Sequence, residues 1–257
     1  MINEDLLTSA ELNHIKDLVE SVTGEEGYFG VLKQSGFTLQ AIPEDLGGIG
    51  FDFYQVHCQL TQLTKSNGQA ALALASHLYW TGIASELWYS KDYSLQWLLR
   101  EASEGEYFAV SGGFESVALS LELPGLTVEP VDCGYCFSGE VDLTTVPRGW
   151  TRLGLSGRQL TGSENQQLVS GFLPREAVQS AMLGRSTLSS VDGKLTSLIL
   201  DAIYVPDRYI LCSMDHNQKT CEAIQQASLV WKNIVKLDNI LKAEKSNANI
   251  YYRTKIC

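Results

Sequence analysis

Near residue 105 the hydrophobic period of this 257-residue chain changes from about 3.6 to about 2, and that switch limits the possible folds more than any single motif does. Before it, apolar residues recur at helical spacing. Thr8-Ser9-Ala10-Glu11 has the pattern of a capping box, and Leu12, Ile15, Leu18, Val19 and Val22 follow at that spacing. Residues 29–37 read as a short second helix that stops near Gly36. Val56, Leu60 and Leu63 mark a further amphipathic helix, with Asn67-Gly68 as its stop signal. Residues 70–78, rich in Ala and Leu, are apolar all round, as expected of a helix buried among others. Residues 95–99 add one more helix.

After the switch the apolar runs are short, often alternating, and separated by Gly, Pro, Asn or Asp. Residues 107–111, 117–121, 126–131, 135–138, 152–156, 167–173 and 195–203 read as strands of an antiparallel sandwich or barrel. Beyond Val205-Pro206-Asp207 the helical period returns over 222–242, where Ala223, Ala227, Val230, Ile234, Leu237 and Leu241 form one stripe. The expected class is α+β. It comprises an all-α domain over 1–105, an antiparallel β domain over 106–212, and a C-terminal amphipathic helix within 213–257. A stripe of six apolar positions must be buried, which predicts homo- or hetero-oligomerisation through 222–242.

The net charge of −11 argues against nucleic acid as a partner, because phosphate neutralisation needs a basic surface. The first twelve residues carry Glu4, Asp5 and Glu11 and lack a secretory pattern, and no apolar run approaches the ~20 residues of a membrane span. A cytoplasmic protein without membrane contact is expected. Six cysteines in a chain of this length suggest no disulfide framework. Cys133-Gly134-Tyr135-Cys136 has redox spacing but falls between strand-like segments, and the four histidines do not cluster with it, so turn cysteines and no metal site are expected. The aromatics Trp80, Trp88, Tyr89, Tyr93 and Trp97 suit core packing and surface caps, or else the lining of an acyl pocket between the two domains.

One stretch carries more specific wording. In residues 41–52, Pro43 pins φ and the adjacent Gly47-Gly48 permit positive φ, so a tight irregular turn is expected between helices. With residues 32–37 before it and a long helix after it, this stretch resembles the N-terminal domain of the acyl-CoA dehydrogenase superfamily. Further likenesses are His77-Leu78 in the fourth helix, the hairpin at 134–139, the strand at 170–175 and the closing strand at 196–206. The order of helical block, β block and helix is also similar. The resemblance covers roughly 1–240, and implies that most of a C-terminal helical domain is missing beyond its opening helix.

What the resemblance implies is a flavoprotein: an FAD-dependent oxidoreductase acting on CH–CH bonds of an acyl thioester. Two β segments of that family touch the flavin. Here they read as residues 108–116, where Ser111 and Ser116 stand for the hydroxyl donors, and residues 143–146, where Thr145 keeps the hydroxyl position. The family's Glu-Pro pair has no counterpart in the first segment. In the second, Leu143 and Val146 replace an aromatic residue and an asparagine. The family's catalytic carboxylate comes from the C-terminal domain and has no counterpart here, so the catalytic residue is unknown. FAD is then expected to bind weakly or with the help of a partner chain. Two other readings stand beside this one: a flavin-dependent monooxygenase relative, and a non-catalytic homologue serving as an acyl-binding or scaffold subunit.

Overall fold

Chain geometry around the glycine-rich turn follows from its residues. In the computed structural model, which describes residues 25–111, 125–147, 149–159, 167–181, 187–191, 194–213 and 218–235, helix α1 (Glu25–Gln34) ends just before Gly36, which takes φ 75°. Pro43 then leads into a 3-10 turn over Glu44–Leu46, closed by Gly47 at φ 85°. A Cβ on Gly48 would sit 2.0 Å from the Ile42 carbonyl oxygen, so only glycine fits where the turn folds back on itself. Helix α2 (Phe53–Ser66) starts with a capping box in which Asp52 and Gln55 exchange bonds of 2.9 and 3.0 Å.

Asn67-Gly68 is more than a stop. The Asn67 side chain accepts the Ala70 amide at 2.9 Å, so the same pair ends α2 and starts α3 (Gly68–Tyr89). This 22-residue helix is buried almost all round from Ala70 to Leu87, as its composition implies. Helix α4 (Gln96–Ser103) completes the first block. The predicted helix over 8–22 and the predicted strand over 117–121 lie outside the described residues, as do Ser116, Leu237 and Leu241.

The second block is one mixed sheet. Its strands are β1 (Phe108–Val110), β2 (Thr127–Val131), β3 (Gly134–Asp142), β4 (Arg152–Gln159), β5 (Gln167–Pro174), β6 (Thr187–Val191), β7 (Lys194–Pro206) and β8 (Ile210–Ser213). They lie in the order β6-β7-β3-β2-β4-β5-β8, with β1 beside β4. Five pairings are antiparallel, as expected. Two are parallel: β1 and β2 lie end to end along one edge of β4, against Arg152–Gly154 and Arg158–Gln159, while β5 takes the other edge. Parallel neighbours need a long crossover, which the excursion from 111 to 151 provides. Sequence reasoning also passed over β6, β8 and the short helix α5 (Arg175–Ala181).

Arg152 ties the two blocks together. Only 7% exposed, it donates from Nε to Glu101 on α4 at 2.9 Å and lies 3.2 Å from Glu106, while the Tyr209 hydroxyl donates to the other Glu101 oxygen. The core continues across the same boundary, where Trp80 and Trp97 pack edge-on against Phe172 with ring centroids 4.8 and 5.9 Å apart. Tyr89 and Tyr93 are exposed, and Trp88 packs on Tyr93. The aromatic group is thus core and cap.

The last described helix, α6 (Gln218–Val235), differs from expectation in which face it buries. Cys221, Ile224, Ala227, Ser228 and Trp231 are buried, whereas Val230 of the predicted stripe and its neighbour Leu229 are exposed. The Trp231 ring rests on Gly82, so α6 packs on α3 of the first block. The chain itself covers the inner face. The Cys133 and Cys136 thiols are free at the β2–β3 hairpin, as expected, and burial followed by the nearby Glu129 raises the Cys136 pKa, which keeps it a thiol. Cys221, in contrast, is disulfide-bonded, a link that counting cysteines did not reveal.

Candidate functional site

β1 is three residues long, yet it is held from two sides. One side is the parallel pairing with β4. On the other, side chains of α3 take the place of a strand. The Phe108 amide donates to His77 Nδ1 at 3.3 Å and the Val110 amide to Ser76 Oγ at 3.3 Å. Trp80 Nε1 donates to the Ala109 carbonyl at 3.2 Å, and the Tyr107 hydroxyl donates to the Ala73 carbonyl. Because Nδ1 of His77 accepts, its proton sits on Nε2, which donates to the Thr38 carbonyl at 3.0 Å. Burial drives the His77 pKa down to about 4, with the Thr38 bond opposing. The neutral ring stacks on Tyr107 at 5.1 Å and joins the first turn of the fold to β1.

Ser111 follows directly. Its hydroxyl donates to the Gly154 carbonyl at 2.7 Å, so its proton is committed within the protein and only its lone pairs face outward chemistry. Gly154 has to be glycine: a Cβ there would lie 2.7 Å from the Trp80 ring.

Thr145 is the opposite case. It sits in the turn after β3, and its Oγ1 is buried with no hydrogen-bond partner. The turn residues Thr144, Thr145, Val146 and Pro147 face Gln69, Leu72 and Ala73 from the start of α3 across a pocket of about 50 Å3. Ala73 belongs to both neighbourhoods, since it lines this pocket and accepts the Tyr107 hydroxyl. The two predicted flavin segments therefore flank the same turns of α3. Leu143 and Val146, the departures from the family wording, are buried apolar side chains.

No protein-family model and no curated protein matches this sequence. Solved structures do match. FMN-bound TdsC from Paenibacillus sp. A11-2 superposes with a TM-score of 0.61 at 14% identity, over 90% of this chain and 60% of that one. A nitrososynthase from Micromonospora carbonacea var. africana gives 0.56 at 19% identity, over 89% of this chain and 64% of that one. KijD3 in complex with FMN and a dTDP-linked amino-keto sugar gives 0.58 at 18% identity, over 87% and 58%. The chain has the acyl-CoA dehydrogenase fold.

At these identities the likeness establishes the fold, and this chain spans about three fifths of the length of those proteins. Within the acyl-CoA dehydrogenase fold, the structure brings the surroundings of Ser111 and Thr145 to one helix, while Ser116 lies outside the described residues. Ser76, His77 and Trp80 were missed as a group. The available signal was two polar residues, Ser76 and His77, inside the stretch 70–78, which is otherwise apolar. The described helices include none long and apolar enough to cross a membrane, and the described residues hold no group of His, Cys, Asp or Glu arranged for a metal.

Proposed function

We propose that this protein is a flavin-dependent oxidoreductase whose flavin lies against residues 108–111 and 143–147. The observation that carries the reading is the Thr145 hydroxyl, buried and without a partner beside the first turns of α3. Leaving such a group unpaired costs about 1–3 kcal/mol, which a ligand able to hydrogen-bond there recovers. The start of a long helix favours an electron-rich atom at the same point. A pocket of about 50 Å3 suits one polar edge of a planar ring rather than a whole ring system. Bound there, a flavin supplies the two-electron chemistry. The chain supplies the Thr145 hydroxyl and the lone pairs of Ser111.

The oxygen-using form is favoured over oxidation of an acyl thioester. Support for that form comes from the matched structures, which include a methanesulfinate monooxygenase and a dibenzothiophene monooxygenase. Matched structures carry FMN or FADH2, and the reading accommodates either flavin. The test is a fluorescence and absorbance titration of the purified protein with FMN and FAD, oxidised and reduced. Saturable binding is expected, weakened about five-fold by Thr145→Val. Absence of binding to either flavin in both redox states refutes the reading.

A further inference from the structure

We infer that Ser76, His77 and Trp80 of α3 are positioning residues for the site, acting as a substitute strand that holds β1 and thereby sets Ser111. The inference rests on the flavin reading for its functional half and on geometry alone for its structural half.

A three-residue strand pairs through few bonds, and its parallel pairing with β4 spans only Phe108–Val110 against Arg152–Gly154. The amides of Phe108 and Val110 would otherwise be buried donors, since both residues are almost wholly buried. Each finds a side chain of one helix instead, His77 Nδ1 and Ser76 Oγ. Trp80 fixes the residue between them through the Ala109 carbonyl, and its ring fills the space against Gly154. Gly154 in turn accepts the Ser111 hydroxyl. A chain of direct contacts thus runs from α3 through β1 and β4 to Ser111. Helical spacing explains the choice of positions, because Ser76 or His77 and Trp80 lie within one turn of each other. Ser76 and His77 are adjacent in sequence and so reach alternate amides of a strand crossing the helix. A helix that only packed against the sheet would need none of these polar groups.

Two conservative variants separate holding from packing. Ser76→Ala removes one acceptor with almost no change in volume, and Trp80→Phe removes the N–H while keeping an aromatic ring. Amide hydrogen exchange, read by two-dimensional NMR on the flavin-free protein, is the first readout; the flavin titration is the second. Ser76→Ala is expected to speed exchange of the Val110 amide at least ten-fold, leaving the α4 amides unchanged. Both variants are expected to weaken flavin binding about five-fold or more. Unchanged Val110 exchange in Ser76→Ala overturns the inference, whether or not flavin binds. Faster exchange together with full flavin affinity in both variants overturns the positioning role. A wild-type protein that binds no flavin would defeat the functional reading alone, with faster Val110 exchange still supporting the substitute strand.

Discussion

Along the first turns of α3, two β segments meet the same helix under opposite conditions. At β1 the amides of Phe108 and Val110, the Ala109 carbonyl and the Tyr107 hydroxyl all find partners on α3. At the turn after β3, the Thr145 hydroxyl is buried a short way along the same helix and finds none. The difference separates polar groups paired within the fold from one that is buried without a partner. A satisfied network rigidifies a junction, whereas a lone buried hydroxyl weakens it unless something outside the chain completes it.

The largest expected effect tests the satisfied side. Trp80→Ala removes an almost fully buried indole that packs on Tyr79 and Phe172 and hydrogen-bonds Ala109, so unfolding in urea should lose about 3–5 kcal/mol. A loss below about 1 kcal/mol would mean that the junction is not the stable side of the comparison.

A pH dependence of similar size follows from His77. Its folded pKa is about 4 against an ordinary 6.5, so the unfolded chain takes up a proton at a higher pH than the folded one does. Stability should therefore fall as pH falls from about 6.5 to about 4 and level off below, by roughly 3 kcal/mol in total. Protonation would also place a hydrogen on Nδ1, where the Phe108 amide now donates. The check is the wild-type stability curve minus that of His77→Gln, which removes carboxylate titration common to both. A flat difference between pH 7 and 4 breaks the argument.

The smallest effect sharpens the other side. Thr145→Val deletes a buried hydroxyl that has no partner, so flavin-free protein should gain up to about 1 kcal/mol of stability while flavin binding weakens. Opposite signs are the signature of a group kept for a ligand. Lost stability in the flavin-free protein would instead assign Thr145 to the fold.

Much of this architecture was legible in the residues. Ala70 to Leu78 read as buried helix because no polar stripe interrupts them, and the turn around Gly47-Gly48 read as irregular because proline and glycine restrict φ locally. The hairpin at Cys133 and the strands ending at Pro174 and Pro206 followed from alternation bounded by turn residues. Errors came where period alone had to choose a face or an edge. Val230 belonged to a fair helical stripe, yet Trp231, one position on, is the side chain that packs on Gly82. Offset by one residue, two stripes of α6 are comparably apolar, and only the helix it docks on selects between them.

The site shows the same division. That Ser111 and Thr145 carry hydroxyls in or beside β segments is written in the sequence. That Ser111 spends its proton on Gly154 while Thr145 keeps its own unspent depends on contacts between residues more than forty positions apart, or on the absence of one. Hydrophobic period and turn chemistry are local, acting over a few residues, and so determined the helices, the strands and the change between them near residue 105. Hydrogen bonds such as Ser76 to Val110 and His77 to Phe108 join segments brought together only by packing, so the tertiary structure alone decided that the β1 amides find partners and that the Thr145 hydroxyl does not.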